Sequence, residues 1–383
     1  MSQRDQPLLP PTMLGILGGG QLGRFFVIAA HEMGYKVTVL DPDPNSPAGA
    51  MADIHLCKAF DDSAALEVIT NTCKAVTTEF ENVSADSMEF LSKYIYVSPS
   101  AESIRIAQYR VLEKTFLKES KLPIGPFEII LEDKDIPPDT SSIYPGILKI
   151  ARFGYDGKGQ ARVSSQKEAI DAFQQFSKQE CVLEKILPLD MEVSLVLARD
   201  QKGHIKTFNV SENIHTNGIL DVSIVPARST KAINGLINQL AKSLAEALNY
   251  VGVLGVEFFI SEGKVFVNEI APRPHNSGHY TIDASETNQF EQQVRVLAGL
   301  PLGNSRLHSS AVMVNLLGDV WTNSKEREPN WDKVLKEPGL KMHLYGKHEA
   351  RPGRKMGHFT VIDENVDLAF QKAMELRKLL GIA

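Results

Sequence analysis

The first forty residues constrain the fold of this chain more than any other stretch. Residues 13–17 form a short apolar run, a dense glycine cluster follows (GILGGGQLG, Gly15 to Gly23), residues 21–33 carry apolar side chains at helical spacing, and residues 36–40 form a second apolar run. Gly34 ends the helix, and Asp41 with Pro42 ends the second strand. The pattern recurs with a helix over 63–73, a strand over 74–78, a helix over 85–93 and a strand over 94–97. Alternation of this kind predicts a parallel sheet covered by helices through about residue 100. Gly18, Gly20 and Gly23 have dinucleotide-binding spacing, and Asp41 follows at the distance expected of a ribose-binding acid. Taken alone, that says nicotinamide-dependent oxidoreductase. Glycines let amides at a helix N-terminus approach any phosphate, so the owner of the cradle stays open between a cofactor and a sugar phosphate. A tight turn with no ligand is the plain alternative.

The remaining chain changes character. Residues 103–120 read as one helix, and residues 122–144, rich in prolines and acids, read as a linker or peripheral strand pair. From 145 to 300 longer strands alternate with glycine loops and helices near 167–177, 233–248 and 289–297, a mixed α+β pattern. Strands near 311–317, 342–345 and 358–362 precede a closing helix over 366–380. A length of 383 residues suits two or three domains. The expected division is a disordered leader (1–12), a Rossmann-like domain (13–105), an α+β domain (106–305) and a small C-terminal α+β domain (306–383).

A formal charge of -6 gives no overall attraction to nucleic acid or to an anionic membrane surface, and no stretch approaches the ~20 apolar residues of a membrane helix. Cys57, Cys73 and Cys181 lie far apart, without zinc or disulfide spacing, and suit a reducing cytoplasm.

The chemistry concentrates in residues 253–280. Strands over 253–260 and 265–270 flank a turn at Ser261, Glu262, Gly263 and Lys264. With the turn centred on Gly263, Glu257 and Glu269 fall opposite each other, where bare carboxylates repel unless a cation joins them. Magnesium fits, being held by one or two carboxylates plus substrate phosphate. The other reading makes Glu257 the mark of an edge strand and Glu269 a solvated strand end. Arg273, His275, Asn276, Ser277 and His279 then offer donors for an anion, or simply line an exposed loop.

Three further clusters bear on ligands. RFGYDGKGQ, Arg152 to Gln160, follows a strand with Lys149 and reads as a mobile flap over a triphosphate or as a hairpin turn. It lacks the spacing and the Ser or Thr of a Walker loop. Glu184 ends a short strand before Lys185, Ile186, Leu187 and Glu192, and holds a purine and ribose or is merely solvated. KHEARPGRKMGH, Lys347 to His358, brings cations onto one turn, for a phosphate or as plain surface charge.

In combination these motifs resemble the ATP-grasp enzymes, and more narrowly the 5-carboxyaminoimidazole ribonucleotide synthetases of purine biosynthesis. The resemblance spans nearly the whole chain and rests on GILGGGQLGR, TEFENV from Thr78, SPS from Ser98, GYDGKGQ from Gly154, GVEFF from Gly255, NEIAPRPHNSGH from Asn268 and GRKMGH from Gly353, in that order. It implies an ATP-grasp fold behind the Rossmann-like domain and carboxylation of 5-aminoimidazole ribonucleotide by bicarbonate, with ATP and Mg²⁺, through carboxyphosphate.

The same resemblance assigns residues. Arg110, Lys149, Gly154, Tyr155, Asp156, Gly157, Lys158, Gly159, Gln160, Glu184, Lys185, Ile186, Leu187, Glu192 and His215 would line the ATP site, with Asn268 and Glu269. Glu257 and Glu269 would hold magnesium. Gly20, Gln21, Leu22, Glu79, Tyr155, Asp156, Arg273, His275, Asn276, Lys347, Arg354 and Lys355 would form the ribonucleotide pocket. Lys158, Arg273 and His275 would carry the catalytic charge. Tyr109 departs from the family, which usually has an acid there. A homodimer is implied, with small-molecule partners and no nucleic acid or membrane. The rivals are a formate-dependent glycinamide ribonucleotide transformylase on the same scaffold, disfavoured by His275, Asn276 and GRKMGH, the oxidoreductase, and an ATP-sensing module.

Overall fold

The computed structural model describes residues 6–152, 159–324 and 328–382. The first sheet holds β1 (Met13–Leu17), β2 (Lys36–Leu40), β3 (Ile54–Leu56), β4 (Ala75–Thr78) and β5 (Tyr96–Val97). Its order is β3-β2-β1-β4-β5 and its pairings are parallel, as the alternation predicts. Helices α1 (Gln21–Glu32), α2 (Ser63–Thr72) and α3 (Ala85–Ser92) connect these strands. Parallel strands buried on both faces read as unbroken apolar runs, which is why they stand out in the sequence.

The helix expected over 103–120 is two helices, α4 (Ala101–Gln108) and α5 (Arg110–Glu119). Tyr109 breaks them with extended backbone, φ -127° and ψ 102°. The break is tertiary in origin: the Tyr109 hydroxyl donates to Glu180, and the Arg152 guanidinium stacks 4.3 Å from its ring. Arg110 then starts α5 with its N–H on the Ala151 carbonyl, 2.9 Å. The leader expected over 1–12 is tied down in its described part, since the Leu8 N–H donates to Ala298 O and Leu8 O accepts from the Tyr35 hydroxyl.

A second, antiparallel sheet orders β6 (Phe127–Ile130), β7 (Gly146–Ile150), β8 (Gln160–Val163) and β9 (Cys181–Lys185) as β6-β9-β7-β8, with α6 (Gln166–Gln175) against it. The proline-rich segment thus supplies β6. The largest sheet joins β10 (Met191–Arg199), β11 (Ile205–Thr207), β12 (Ser211–Thr216), β13 (Ile219–Val225), β14 (Gly252–Ser261), β15 (Lys264–Ala271), β16 (Ser310–Leu317), β17 (Leu340–Leu344) and β18 (Lys355–Asp363). Its path runs β15-β14-β10-β12-β13-β16-β18-β17, with β11 beside β10. The ladder does not break near residue 306: β16 pairs with β13 through Val222 and Val314.

Helix α7 (Lys231–Ala247) buries Ile237, Ala241 and Leu244 under β10 and β14, and the closing helix Val366–Leu379 buries Ala369, Ala373 and Leu376 under β16 and β18. Past the short α8 (Thr281–Ala284), α9 (Gln289–Ala298) packs on α1, with the Phe25 and Phe290 rings 5.1 Å apart. Each such ring stabilises the junction by about 1.5–3 kcal/mol. Tyr345 joins the same core, so all three parts of the chain share it.

Candidate active site

The three sheets enclose one cleft of about 850 Å³. α1 contributes Gln21 and Leu22, the end of β4 contributes Glu79 to Glu81, the small sheet contributes Lys149 and Gly159, and the large sheet contributes Glu192, His215, Glu257, Asn268, Glu269 and Lys355.

Glu257 and Glu269 face each other, as expected, by a different route. The turn is not centred on Gly263. Glu262 and Gly263 form a two-residue loop with φ +50° and +69°, the backbone of a type I′ hairpin turn. That register alone would pair Glu257 with Asn268. A β-bulge at Asn268 inserts one residue, so the ladder passes from Phe258↔Val267 to Glu257↔Glu269. Asn268 Nδ2 lies 3.4 Å from Glu257 Oε2, while its Oδ1 is buried without a hydrogen-bond partner. Burial first, and the Glu269 charge second, push the Glu257 carboxyl up to about 7. Three oxygen donors converge here at a site of excess negative charge, a donor set that fits magnesium.

The loop after β15 supplies the opposite charge. Arg273 is half-buried and pairs through Nε with Glu81, whose carboxyl is held low by that guanidinium against the upward push of burial. His275 Nε2 lies 3.3 Å from Glu257 Oε1. Burial, then Arg273 and Lys355, depress the imidazole to about 3, so it is neutral. Its tautomer follows from a buried relay. Ser223 Oγ donates to Asn213 Oδ1, Asn213 Nδ2 donates to Ser194 Oγ, and Ser194 Oγ donates to Ser277 Oγ, 2.6 Å. The Ser277 hydroxyl is thereby left to donate to His275 Nδ1, 2.8 Å, which puts the ring proton on Nε2, toward Glu257. His215 has the opposite setting: burial opposes its charge, but Glu192, 3.0 Å from Nδ1, and Glu257 raise it. Asn276 lines the cleft with its amide oxygen and nitrogen both buried and unpartnered.

Toward the small sheet Lys149 and Arg110 line the cleft, whereas Glu184 is not among its lining residues. Glu184 is the hub behind it, 3.1 Å from Lys149 Nζ, 3.3 Å from Lys114 Nζ and 3.7 Å from Arg110 Nη1. Burial would raise its carboxyl, but these three cations hold it at about 2. Its geometry is that of an anchor for cations. Lys185, Ile186 and Leu187 are not among the lining residues either; the Ile186 N–H is committed to Pro145 O. Gly159, Gln160, Glu192 and His215 do line the cleft. Gly154, Tyr155, Asp156, Gly157 and Lys158 lie outside the described residues.

The glycine cluster is corrected in its chemistry. Its amides serve carboxylates: Gly20 and Gly23 donate to Glu79, and Gly19 donates to Asp41 Oδ2, 2.6 Å. A Cβ on Gly20 would stand 2.5 Å from Glu79 Oε1, so the missing side chain makes room for that carboxylate. Two acids already on the helix N-terminus repel a phosphate there, against both the nicotinamide and the phosphate-cradle readings. Gly20 therefore positions Glu79, while Gln21, Leu22 and Glu79 reach the cleft. Lys347 Nζ donates to Gln21 Oε1, 2.7 Å, and to Lys355 O, 2.8 Å, placing it behind two lining residues. Arg354 turns away to Glu349 O. His358 enters the core, its ring stacked 4.8 Å from His279 and 4.7 Å from His343.

Glu81, Arg162, Asn217 and Phe259 also line the cleft and were not expected. Glu81 had a signal: it lies two residues beyond Glu79 in TEFENV, at the spacing that returns a side chain to the same face of extended backbone.

Three family models match in succession: a ribonucleotide synthetase preATP-grasp domain over residues 12–108, an ATP-grasp domain over 115–290, and a phosphoribosylaminoimidazole carboxylase C-terminal domain over 311–372. The chain is 41% identical over 364 residues to the N5-carboxyaminoimidazole ribonucleotide synthase of Bacillus subtilis, covering 94% of each. It is 41% identical to that of Brucella melitensis, covering 93% of this chain and 97% of the relative. Among solved structures, an ADP complex of N5-carboxyaminoimidazole ribonucleotide synthetase superposes with a TM-score of 0.91 at 40% identity over 98% of both chains. The Aspergillus clavatus enzyme with ADP and 5-aminoimidazole ribonucleotide superposes at 0.87 and 28% identity, over 97% of this chain and 99% of that one.

Proposed function

The chain belongs to the N5-carboxyaminoimidazole ribonucleotide synthase family of ATP-grasp enzymes, and on that premise we propose that the cleft brings ATP, bicarbonate and 5-aminoimidazole ribonucleotide together. The reaction is the ATP-dependent carboxylation of that ribonucleotide in purine biosynthesis. A bicarbonate oxygen attacks the γ-phosphorus and ADP leaves; the exocyclic amine then attacks the carboxyl carbon of carboxyphosphate, and phosphate leaves with loss of an amine proton.

The observation that carries the assignment of roles is the meeting of Glu257 and Glu269 with neutral His275 and cationic Arg273 in one cleft. Glu257, Glu269 and the orphaned Asn268 Oδ1 would hold magnesium, which supplies charge neutralisation at the ATP phosphates. Lys149 and Arg110, fixed by Glu184, face the nucleotide. Arg273, held by Glu81, balances charge on the bicarbonate side. His275 presents its Nε2 proton as a hydrogen-bond donor and, with Nδ1 occupied by Ser277, is not free to take a proton there. Gln21, Glu79, Asn276 and Lys355 line the ribonucleotide end. Lys158 and its neighbours, outside the described residues, keep their roles as flap and cation by resemblance. A homodimer in the cytoplasm belongs to the same reading; three unpaired cysteines suit it.

Steady-state ATP hydrolysis tests it. ADP release should require 5-aminoimidazole ribonucleotide with bicarbonate. Turnover that needs formate and ignores the aminoimidazole would overturn the assignment.

A further inference from the structure

Of two further buried charges, Glu113 has no task in this scheme and Lys114 has one, as a partner of Glu184. Glu113 and Lys114 are neighbours on α5, only 2% and 3% exposed. Charged side chains are rarely buried this deeply unless paired, and each costs several kcal/mol to desolvate. Both reach β15, and Lys114 Nζ does so from between Glu184 and that strand. Lys114 Nζ donates to the Asn268 carbonyl, 2.9 Å, and the Ile270 N–H donates to Glu113 Oε1, 2.8 Å.

Those two backbone groups bracket Glu269, one just before it and one just after. They are also the ones a bulge removes from ladder pairing, and a buried amide or carbonyl left unpaired is costly. Arg110, three and four residues earlier on the same helix face, reaches Glu269 Oε2 at 3.6 Å. One face of α5 therefore grips Asn268, Glu269 and Ile270 in succession.

We infer that Glu113 and Lys114 are positioning residues for the metal-binding acids, holding the bulge at Asn268 in the register that turns Glu269 toward Glu257. The inference rests on the magnesium reading above. Without the brace, β15 has an alternative: the regular continuation of its two-residue turn, in which Asn268 faces Glu257 and Glu269 points to the other face of the sheet. The metal would then lose one of its two carboxylates.

The test is ADP binding by calorimetry to the full chain, once with Mg²⁺ and once with EDTA. In Glu113→Leu the gain in affinity brought by Mg²⁺ should shrink roughly 10- to 100-fold, the usual effect of removing a group that orients a metal ligand, while binding in EDTA is kept. Glu113→Gln retains an acceptor for the Ile270 N–H and should keep most of the gain. Lys114→Met should shrink the Mg²⁺ gain likewise, on top of weaker ADP binding in EDTA, because Lys114 also neutralises Glu184 behind Lys149 and Arg110; the gain brought by Mg²⁺, and not the affinity alone, decides the matter if Glu113→Leu does not fold. An undiminished Mg²⁺ gain in these variants, or equal loss with and without Mg²⁺, would overturn the inference. Absence of any Mg²⁺ gain in the unmodified chain would overturn the metal reading first, and this inference with it.

Discussion

Glu269 stands opposite Glu257 because Asn268 is an extra residue in β15. Burial and the Glu269 charge beside it raise the proton affinity of the Glu257 carboxyl, and a cation or a proton there offsets the repulsion.

Glu269→Gln keeps the shape of the side chain and removes its charge. ATP turnover should fall at least about 10²-fold, the scale of losing one group that stabilises developing charge, with the circular dichroism spectrum unchanged. Near-normal turnover would sink the metal assignment.

The Glu257 carboxyl gives a pH prediction with a definite sign. Its pKa is raised from 4.5 to about 7 in the fold, where Glu269, Glu192, His215 and His275 face it. Between those values the folded chain holds a proton that the unfolded chain has released, so this group's contribution to stability falls as pH rises from about 4.5 to about 7. Glu257→Gln should raise the melting temperature of the metal-free protein at pH 8 and change it little below pH 5. A variant less stable than the parent at pH 8 would contradict the burial argument.

Ser277→Ala removes the hydroxyl on His275 Nδ1. The imidazole then keeps only the long backbone N–H contact of residue 277 on Nδ1, 3.4 Å, so the second tautomer gains population and kcat should drop about tenfold, the worth of one hydrogen bond of roughly 1.4 kcal/mol, with KM for ATP preserved. Nitrogen NMR of the His275 ring reports the tautomer directly; an unchanged Nε2–H form would show that the relay does not set it.

Lys355→Ala should raise KM for the ribonucleotide by about 10- to 100-fold, as for a charge-assisted contact of roughly 1.5–3 kcal/mol, and leave ADP affinity near its original value. Equal weakening of both ligands would mean that Lys355 serves the nucleotide as well.

Much of the fold is legible in the sequence because buried parallel strands and amphipathic helices impose different periods on it. The break at Tyr109 is not, since neither glycine nor proline marks it and its causes, Glu180 and Arg152, lie 71 and 43 residues away. The glycine cluster shows how spacing misleads. It predicts a tight helix entry correctly, but the acid that uses its amides, Glu79, comes from the end of another strand. The hairpin offsets one misreading with another feature: the turn is half a residue earlier than assumed, and the bulge restores the pairing. His275 and Arg273 are recognisable as a type of donor, whereas the tautomer of His275 depends on Ser277, Ser194 and Asn213, which only the folded sheet assembles. The cation cluster near the end divides, Lys355 entering the cleft and His358 the core.

The continuous ladder from β15 to β18 acts as a ruler. Glu269 and Lys355, at the two ends of the chemistry, are fixed on one run of hydrogen-bonded strands with no hinge between them. The separation of those two side chains is therefore built into the sheet, whereas Lys149 comes from the separate four-stranded sheet and is tied in through Glu184, like a jaw set against a bench.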